Sequence, residues 1–257
     1  MTMLSSVFMR IPDWLFDEIS LRMDEKLSII KVTPEKIWQR GSDAGVLSKR
    51  YAKANIFVSE KKDLYPLLKK YMNRLLGQSV PYFFDGVTGS LDHSSLKFDF
   101  IWSNLELSKT SPDVLIPEWR KYLRQNALLM FSYLGPDTGK NLNRLLGIEK
   151  VTNYPSWDMH DVGDALLREG FAEPVMDMEY ITLDYENLDL LLKDALLLGL
   201  ISQDDFNSVG NQIINEPLQI TLELVYGHAW TPELNLSKTK DGLAMISPDQ
   251  IVRSNNK

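Results

Sequence analysis

The side chains most able to do chemistry in this sequence are clusters of amides, acids and glycines just past short apolar runs. The first is Gln39-Arg40-Gly41-Ser42-Asp43-Ala44-Gly45, in which glycines alternate with residues that carry a side chain. The others are Glu60, Asp85 and the pair Ser103-Asn104. Acids and amides of this kind hold the hydroxyl and amino groups of a polar organic ligand, and glycines let the backbone approach it. Nucleophilic and metal chemistry find less support. The chain has no cysteine, and its three histidines, His93, His160 and His228, show no paired ligand spacing. His160 follows Asp158, which reads as a helix N-cap, and is a candidate acid–base or substrate-contact group. His228 beside Trp230 reads as packing after a strand. The basic string Arg120, Lys121 and Arg124 suits an acidic partner or, equally, a solvated helix face. Glu60 stands next to Lys61-Lys62, so a solvated acid is its plain alternative.

The elements that must position these groups alternate between strand and helix. Helical spacing over Ile11 to Ile30 is followed by strands at Lys36 to Gln39, Asn55 to Glu60 and Val80 to Phe84. Helices are expected over Ser42 to Lys53, with Asp43 in the first turn, and over Asp63 to Leu76. Gly86 to Lys97 is polar and reads as loop. Phe98 to Asn104 and Leu128 to Leu134 are apolar enough to be buried strands, with a helix from Pro117 to Arg124 between them. Asp158 to Glu169 is a helix closed by Gly170. Val175 to Leu183 is a sixth strand, and Asn187 to Gly199 and Gln203 to Ile214 are helices. Leu218 to Tyr226 alternates as a final antiparallel strand does. Such alternation builds βαβ units on a mostly parallel sheet, whose ligands bind at the carboxyl ends of the strands. That rule selects the clusters named above.

Composition bounds the rest. A chain of 257 residues with 44% apolar and 25% charged content buries one sizeable core, and one domain over 1–257 is expected, with a helical extension over 1–30 and a polar tail over 231–257. A net charge of −7 argues against sequence-independent nucleic-acid binding. Arg10, Pro12 and Asp13 interrupt any leader-like apolar run, and Lys193 and Asp194 interrupt the longest apolar stretch. No membrane association is expected, and the cytoplasm is the expected compartment.

Several strings carry a family resemblance. They are Phe98-Asp99-Phe100-Ile101-Trp102-Ser103-Asn104-Leu105, Glu118-Trp119-Arg120, and Leu128 to Thr138 with its Gly135-Pro136-Asp137-Thr138 turn. Asp158 to Leu166, Gly170 to Glu179 and Glu223 to Trp230 complete the set. In this order they resemble the class I S-adenosylmethionine-dependent methyltransferases, specifically the malonyl-acyl-carrier-protein O-methyltransferase branch of biotin synthesis. The resemblance implies a Rossmann-like α/β fold with a seven-stranded, mostly parallel sheet, one antiparallel strand and helical additions. It also implies S-adenosylmethionine as cofactor, a malonyl thioester carboxylate as acceptor and an acyl carrier protein as partner. By the same resemblance Gln39, Gly41, Asp43 and Gly45 occupy the cofactor loop. Glu60 faces ribose hydroxyls, Asp85 the adenine amino group, and Ser103 and Asn104 line the pocket. His160, Arg120 and Arg124 fall on the substrate side.

The loop departs from the family pattern, with Gln39 at the acid position and Asp43 at the middle glycine. A carboxylate about 4 Å from the cofactor's own costs roughly 4 kcal/mol at an effective dielectric near 20. Weakened or lost cofactor binding is therefore expected. Two readings follow: an O-methyltransferase with a weakened cofactor loop, or a catalytically degenerate fold kept as a binding or assembly partner. No catalytic residue is singled out, because methyl transfer to an anionic carboxylate depends on positioning more than on proton transfer.

Overall fold

The computed structural model describes residues 11–59, 82–83, 96–148, 156–209, 216–233, 239–240 and 243–244. Helix α1 (Asp13–Leu27) leads into β1 (Lys36–Arg40), the short α2 (Val46–Arg50), β2 (Asn55–Ser59), β3 (Tyr82–Phe83) and β4 (Phe98–Ser103). Helix α3 (Pro112–Tyr122), β5 (Leu123–Leu134), α4 (Asn141–Leu146), α5 (Met159–Arg168) and β6 (Ala172–Asp184) follow. Helices α6 (Leu188–Leu197) and α7 (Gln203–Val209) precede β7 (Gln219–Trp230). The expected helix over 63–76, Glu60, Asp85 and most of the loop at 86–97 lie outside the described residues.

The strands form a seven-stranded sheet in the order β3-β2-β1-β4-β5-β7-β6. β7 runs antiparallel to both β5 and β6, while the pairings from β3 across to β5 are parallel. This is the expected Rossmann-like arrangement with one antiparallel strand. β4 is buried at all six positions because helices cover both faces. Phe100 and Trp102 point into a cluster with Leu15, Ile19 and Met23 of α1 and Leu191 and Leu192 of α6. Phe98 and Ile101 point into the opposite cluster with Leu115, Ile116 and Trp119 of α3 and Val162 and Leu166 of α5. The apolar stripe of α1 thus makes it a covering helix of the sheet.

Several boundaries differ from the sequence expectations. The helix expected from Ser42 is only Val46–Arg50, because Gly41, Ala44 and Gly45 all adopt positive φ and keep the preceding turn out of the helix. The helix expected at Pro117 starts at Pro112, where Ser111 caps it by accepting from the Asp113 N–H, and Pro117 lies inside it. The chain leaves that helix directly into β5. Asn126 takes φ 54°, and the β4–β5 register slips between Phe98 and Phe100. Asn tolerates the left-handed region better than most residues, so Gln125-Asn126-Ala127 makes this bend without glycine. The polar tail begins anchored rather than loose. Thr231 is buried, its N–H donates to Ala127 O at 2.9 Å, and its Oγ1 accepts from the Ala127 N–H at 2.9 Å. Further on, Thr239–Lys240 and Leu243–Ala244 pair as two short strands, β8 and β9.

Candidate active site

From β1 the chain builds outward through β2 to β3, then crosses back to β4 on β1's other side. The turns after β1 and β4 therefore leave in opposite directions and open a crevice at the carboxyl edge, where ligands of such sheets bind. Arg40 pairs with Ser103 at this level, and the Asn104 N–H donates to Arg40 O at 2.8 Å. The structure so brings together Gln39, Gly41, Asp43, Gly45, Ser103 and Asn104. Gly41 has φ +80°, and a Cβ there would stand 2.6 Å from Asn104 O. This glycine serves the close approach of the two turns. Gly45 has φ +75° and no described residue within 4 Å of where a Cβ would be, so among the described residues that side of the loop is open.

Asp43 does not face the crevice in the way its charge suggested. Its Oδ1 accepts from the Gly45 N–H at 3.2 Å and from Gln39 Nε2 at 3.1 Å, and its Oδ2 accepts from the Leu47 N–H at 3.1 Å. Gln39 Nε2 also reaches Gly41 O at 3.1 Å. The carboxylate is thus folded back into the loop, where burial pushes its pKa up while the Gly45 and Leu47 N–H groups pull against that rise. The expected repulsion of a ligand carboxylate gives way to a subtler effect. Asp43 consumes backbone donors that the loop would otherwise offer.

Asn104 is a keystone. It is 1% exposed, and its Nδ2 lies 3.0 Å from each of Phe16 O, Ser20 Oγ and Ser42 O, while its Oδ1 accepts from Ser132 Oγ at 2.9 Å. Ser42 O also accepts from Trp102 Nε1 at 3.2 Å and lies 2.9 Å from Ser20 Oγ, and Ser42 Oγ donates to Asp17 Oδ1 at 3.0 Å. Helix α1, the loop after β1 and the ends of β4 and β5 are tied through one amide. Sequence reasoning missed Ser20 and Ser132 here. Ser20 left a signal: a hydroxyl within the buried stripe Leu15, Ile19, Met23 and Leu27 needs a partner.

Below the crevice Arg40 is largely buried, ion-paired with Glu106 and, at 3.0 Å, with Glu118, and its guanidinium lies 4.5 Å from the Trp38 ring centroid. Ser103 is fully buried beside Glu106. These groups satisfy one another and brace the crevice floor.

The remaining candidates are spread out. His160 is exposed in the first turn of α5, its N–H donating to Asp158 Oδ1 at 2.8 Å, so Asp158 is the expected N-cap. Arg120 lies in the last turn of α3, and Arg124 is the second residue of β5. Leu123 pairs with Phe98, the first residue of β4, and Arg124 is ion-paired with the buried Asp99. The structure therefore separates these arginines from the loop: they stand at the amino edge of the sheet. A cavity of about 590 Å³ between α3 and α5 is lined by Trp157, Arg168 and the carboxylates of Asp113, Asp161 and Asp164. Its three acids do not suit an anionic substrate.

The residues present fit a zwitterionic nucleoside cofactor at the crevice. Gly45 leaves the cradle open, and Asp43 keeps its charge turned into the loop. No protein-family model matches the chain. Among solved structures it is similar to a Bacillus halodurans protein assigned provisionally as a methyltransferase, at a TM-score of 0.59 and 10% identity, covering 84% of this chain and 99% of that one. It is also similar to the [4+2]-cyclase SpnF, at a TM-score of 0.51 and 14% identity, covering 84% and 80%. At such identities the likeness shows the fold alone. Sequence relatives are more telling. The malonyl-[acyl-carrier protein] O-methyltransferase of Laribacter hongkongensis is 32% identical over 246 residues, 84% of this chain and 82% of that protein. The enzyme of the same name from Gallionella capsiferriformans is 32% identical over 260 residues, 89% and 87% of the two chains. Identity at this level over more than four-fifths of both chains shows that the chain belongs to the malonyl-[acyl-carrier protein] O-methyltransferase family.

Proposed function

We propose that this protein transfers a methyl group from S-adenosylmethionine to the free carboxylate of a malonyl thioester carried on an acyl carrier protein, as in biotin synthesis. The observation that carries the reading is the crevice between β1 and β4, with its loop open at Gly45, in a chain of this family. When bound, the cofactor supplies an electrophilic methyl group, which the malonyl carboxylate oxygen takes as the carbon–sulfur bond breaks and its electron pair returns to sulfur. No proton moves, so the chain's work is to bind, align and exclude water. Gln39 and the open side of Gly45 flank the cofactor's amino-acid end. Glu60 and Asp85 are the proposed partners of ribose and adenine, and His160 the proposed substrate contact. With Gln39 lacking an acid's charge and the Gly45 and Leu47 N–H groups already engaged, cofactor affinity is expected to be modest. The protein is expected to act in the cytoplasm. No helix among the described residues is long and apolar enough to cross a membrane.

The test is calorimetric titration with S-adenosylhomocysteine, followed by mass spectrometry of malonyl carrier protein incubated with S-adenosylmethionine and enzyme. Binding with mass gain of one methylene group on the carrier supports the reading. Absence of binding at millimolar ligand, with an unmodified carrier, overturns it.

A further inference from the structure

We infer that the Asp43 carboxylate is the loop's own competitor for the cofactor's carboxylate, and that it yields on taking up a proton, so that cofactor binding draws one proton from solvent. The inference rests on the S-adenosylmethionine reading above. Its basis is geometric. The Gly45 and Leu47 N–H groups, at the end of the turn after β1 and the start of α2, are both directed at Asp43, at 3.2 and 3.1 Å. Gln39 Nε2 completes the shell at 3.1 Å. The carboxylate reaches these donors from inside the loop, whereas the ligand side at Gly45 is open. An amino-acid carboxylate entering there seeks the same donors. Two carboxylates cannot share them while both are charged, since like charges at this range repel strongly in a partly buried site.

Protonation resolves the conflict. A neutral Asp43 releases its claim on the N–H groups and has a hydroxyl of its own to donate. Burial pushes this carboxyl up from the ordinary aspartate range, against the pull of the Gly45 and Leu47 N–H groups. The charged groups around it are engaged with other partners. Asp17 of α1 accepts from Ser42 Oγ, and Asp24 of α1 is paired with Arg50 of α2 at 2.6 Å. Lys49 of α2 forms no ion pair with Asp43 among the described residues, nor does any other cation. Arg40 of β1 is held on the other face of the sheet by Glu106 and Glu118, and the end of β4 offers only the uncharged Ser103 and Asn104.

The experiment is titration of the whole protein with S-adenosylhomocysteine from about pH 7 to about pH 5, in two buffers of different ionisation enthalpy. Affinity is expected to rise on acidification, by up to about tenfold per pH unit where one proton is taken up, and the apparent heat to depend on the buffer. Asp43→Asn is expected to bind more tightly at pH 7, with a flat profile and buffer-independent heat. Gln39→Ala removes a hydrogen bond that favours the charged form and is expected to move the profile to higher pH. A parent protein that binds with a flat profile, an Asp43→Asn protein that keeps the parent's slope, or an unmoved Gln39→Ala profile overturns the inference. If parent and variants all fail to bind at every pH, the cofactor reading itself fails and takes the inference with it. Thermal melting of each variant separates a loss of binding from a loss of fold.

Discussion

At the scale of single residues, the site is built from groups that satisfy one another before any ligand arrives. Asn104 is the clearest case, since one buried amide bridges α1, the loop after β1 and the end of β5. Replacing it with Ala removes the Nδ2 donor shared by Phe16 O, Ser20 Oγ and Ser42 O, leaves the buried Ser132 hydroxyl without its acceptor and opens a cavity where the amide stood. Unsatisfied buried groups cost about 1–3 kcal/mol each, partly relieved by rearrangement and water. Asn104→Ala is therefore expected to destabilise the fold by about 2–4 kcal/mol, read as a drop in urea midpoint at unchanged m-value. An unchanged midpoint would show that the amide is not the keystone described. Asp43 teaches the complementary lesson. Its charge, taken alone, argues for repulsion of the ligand, yet three hydrogen-bond donors, Gln39 of β1, Gly45 of the loop and Leu47 of α2, turn it inward. A residue type announces chemistry, but neighbours only a few positions away decide its direction.

Among the elements, α1 joins the catalytic fold rather than decorating it. Leu15, Ile19, Met23 and Leu27 are fully buried against the sheet, while Arg22–Glu179, Lys26–Asp177 and Arg50–Asp24 tie the helix at its margins. The two kinds of contact differ in weight. Deleting a buried Ile side chain costs about 2–5 kcal/mol, whereas a half-exposed ion pair contributes about 0–1 kcal/mol. Ile19→Ala is thus expected to lower stability by several kcal/mol and to weaken cofactor binding, because the same helix holds Ser42 through Ser20. Arg22→Gln is expected to shift stability by less than about 1 kcal/mol. Equal effects of the two substitutions on the denaturation midpoint would contradict this ranking.

For the whole molecule, the two edges of the sheet have different tasks. The crevice lies at the carboxyl edge, and Arg124, with the end of α3 that carries Arg120, lies at the amino edge. A six-residue strand such as β4 rises about 20 Å, so a carrier bound at the amino edge has that distance to bridge. Steady-state kinetics with malonyl carrier protein are accordingly expected to show an unchanged KM for Arg120→Glu. A KM raised severalfold at constant kcat would place the docking face on α3 after all. Arg124 is unsuited to the same test, since its partner Asp99 is buried and also accepts from the Glu35 and Lys36 N–H groups at 2.7 Å. Removing that arginine leaves a buried carboxylate without its counter-charge.

The sequence by itself determined the elements and their order. Apolar runs long enough for strands, alternating with helical spacing, dictate a parallel sheet covered on both faces, and the fully buried β4 follows directly from Phe98 to Ser103. It also located the loops at the carboxyl ends and carried the family strings. Its errors at the start of α3 and the length of α2 come from turn conformations, Ala44 and Gly45 at positive φ and the Ser111 cap, which lie below the resolution of periodicity. Only the tertiary structure decided where the site's side chains point. Asp43 turned inward, the Asn104 amide bridged α1, the loop after β1 and β5, and Arg120 and Arg124 went to the far edge. The reason is physical. Periodicity reports which face of an element is buried, a local property, while hydrogen-bond partners more than 80 residues apart, such as Asn104 and Ser20, are fixed by how α1 packs across the sheet.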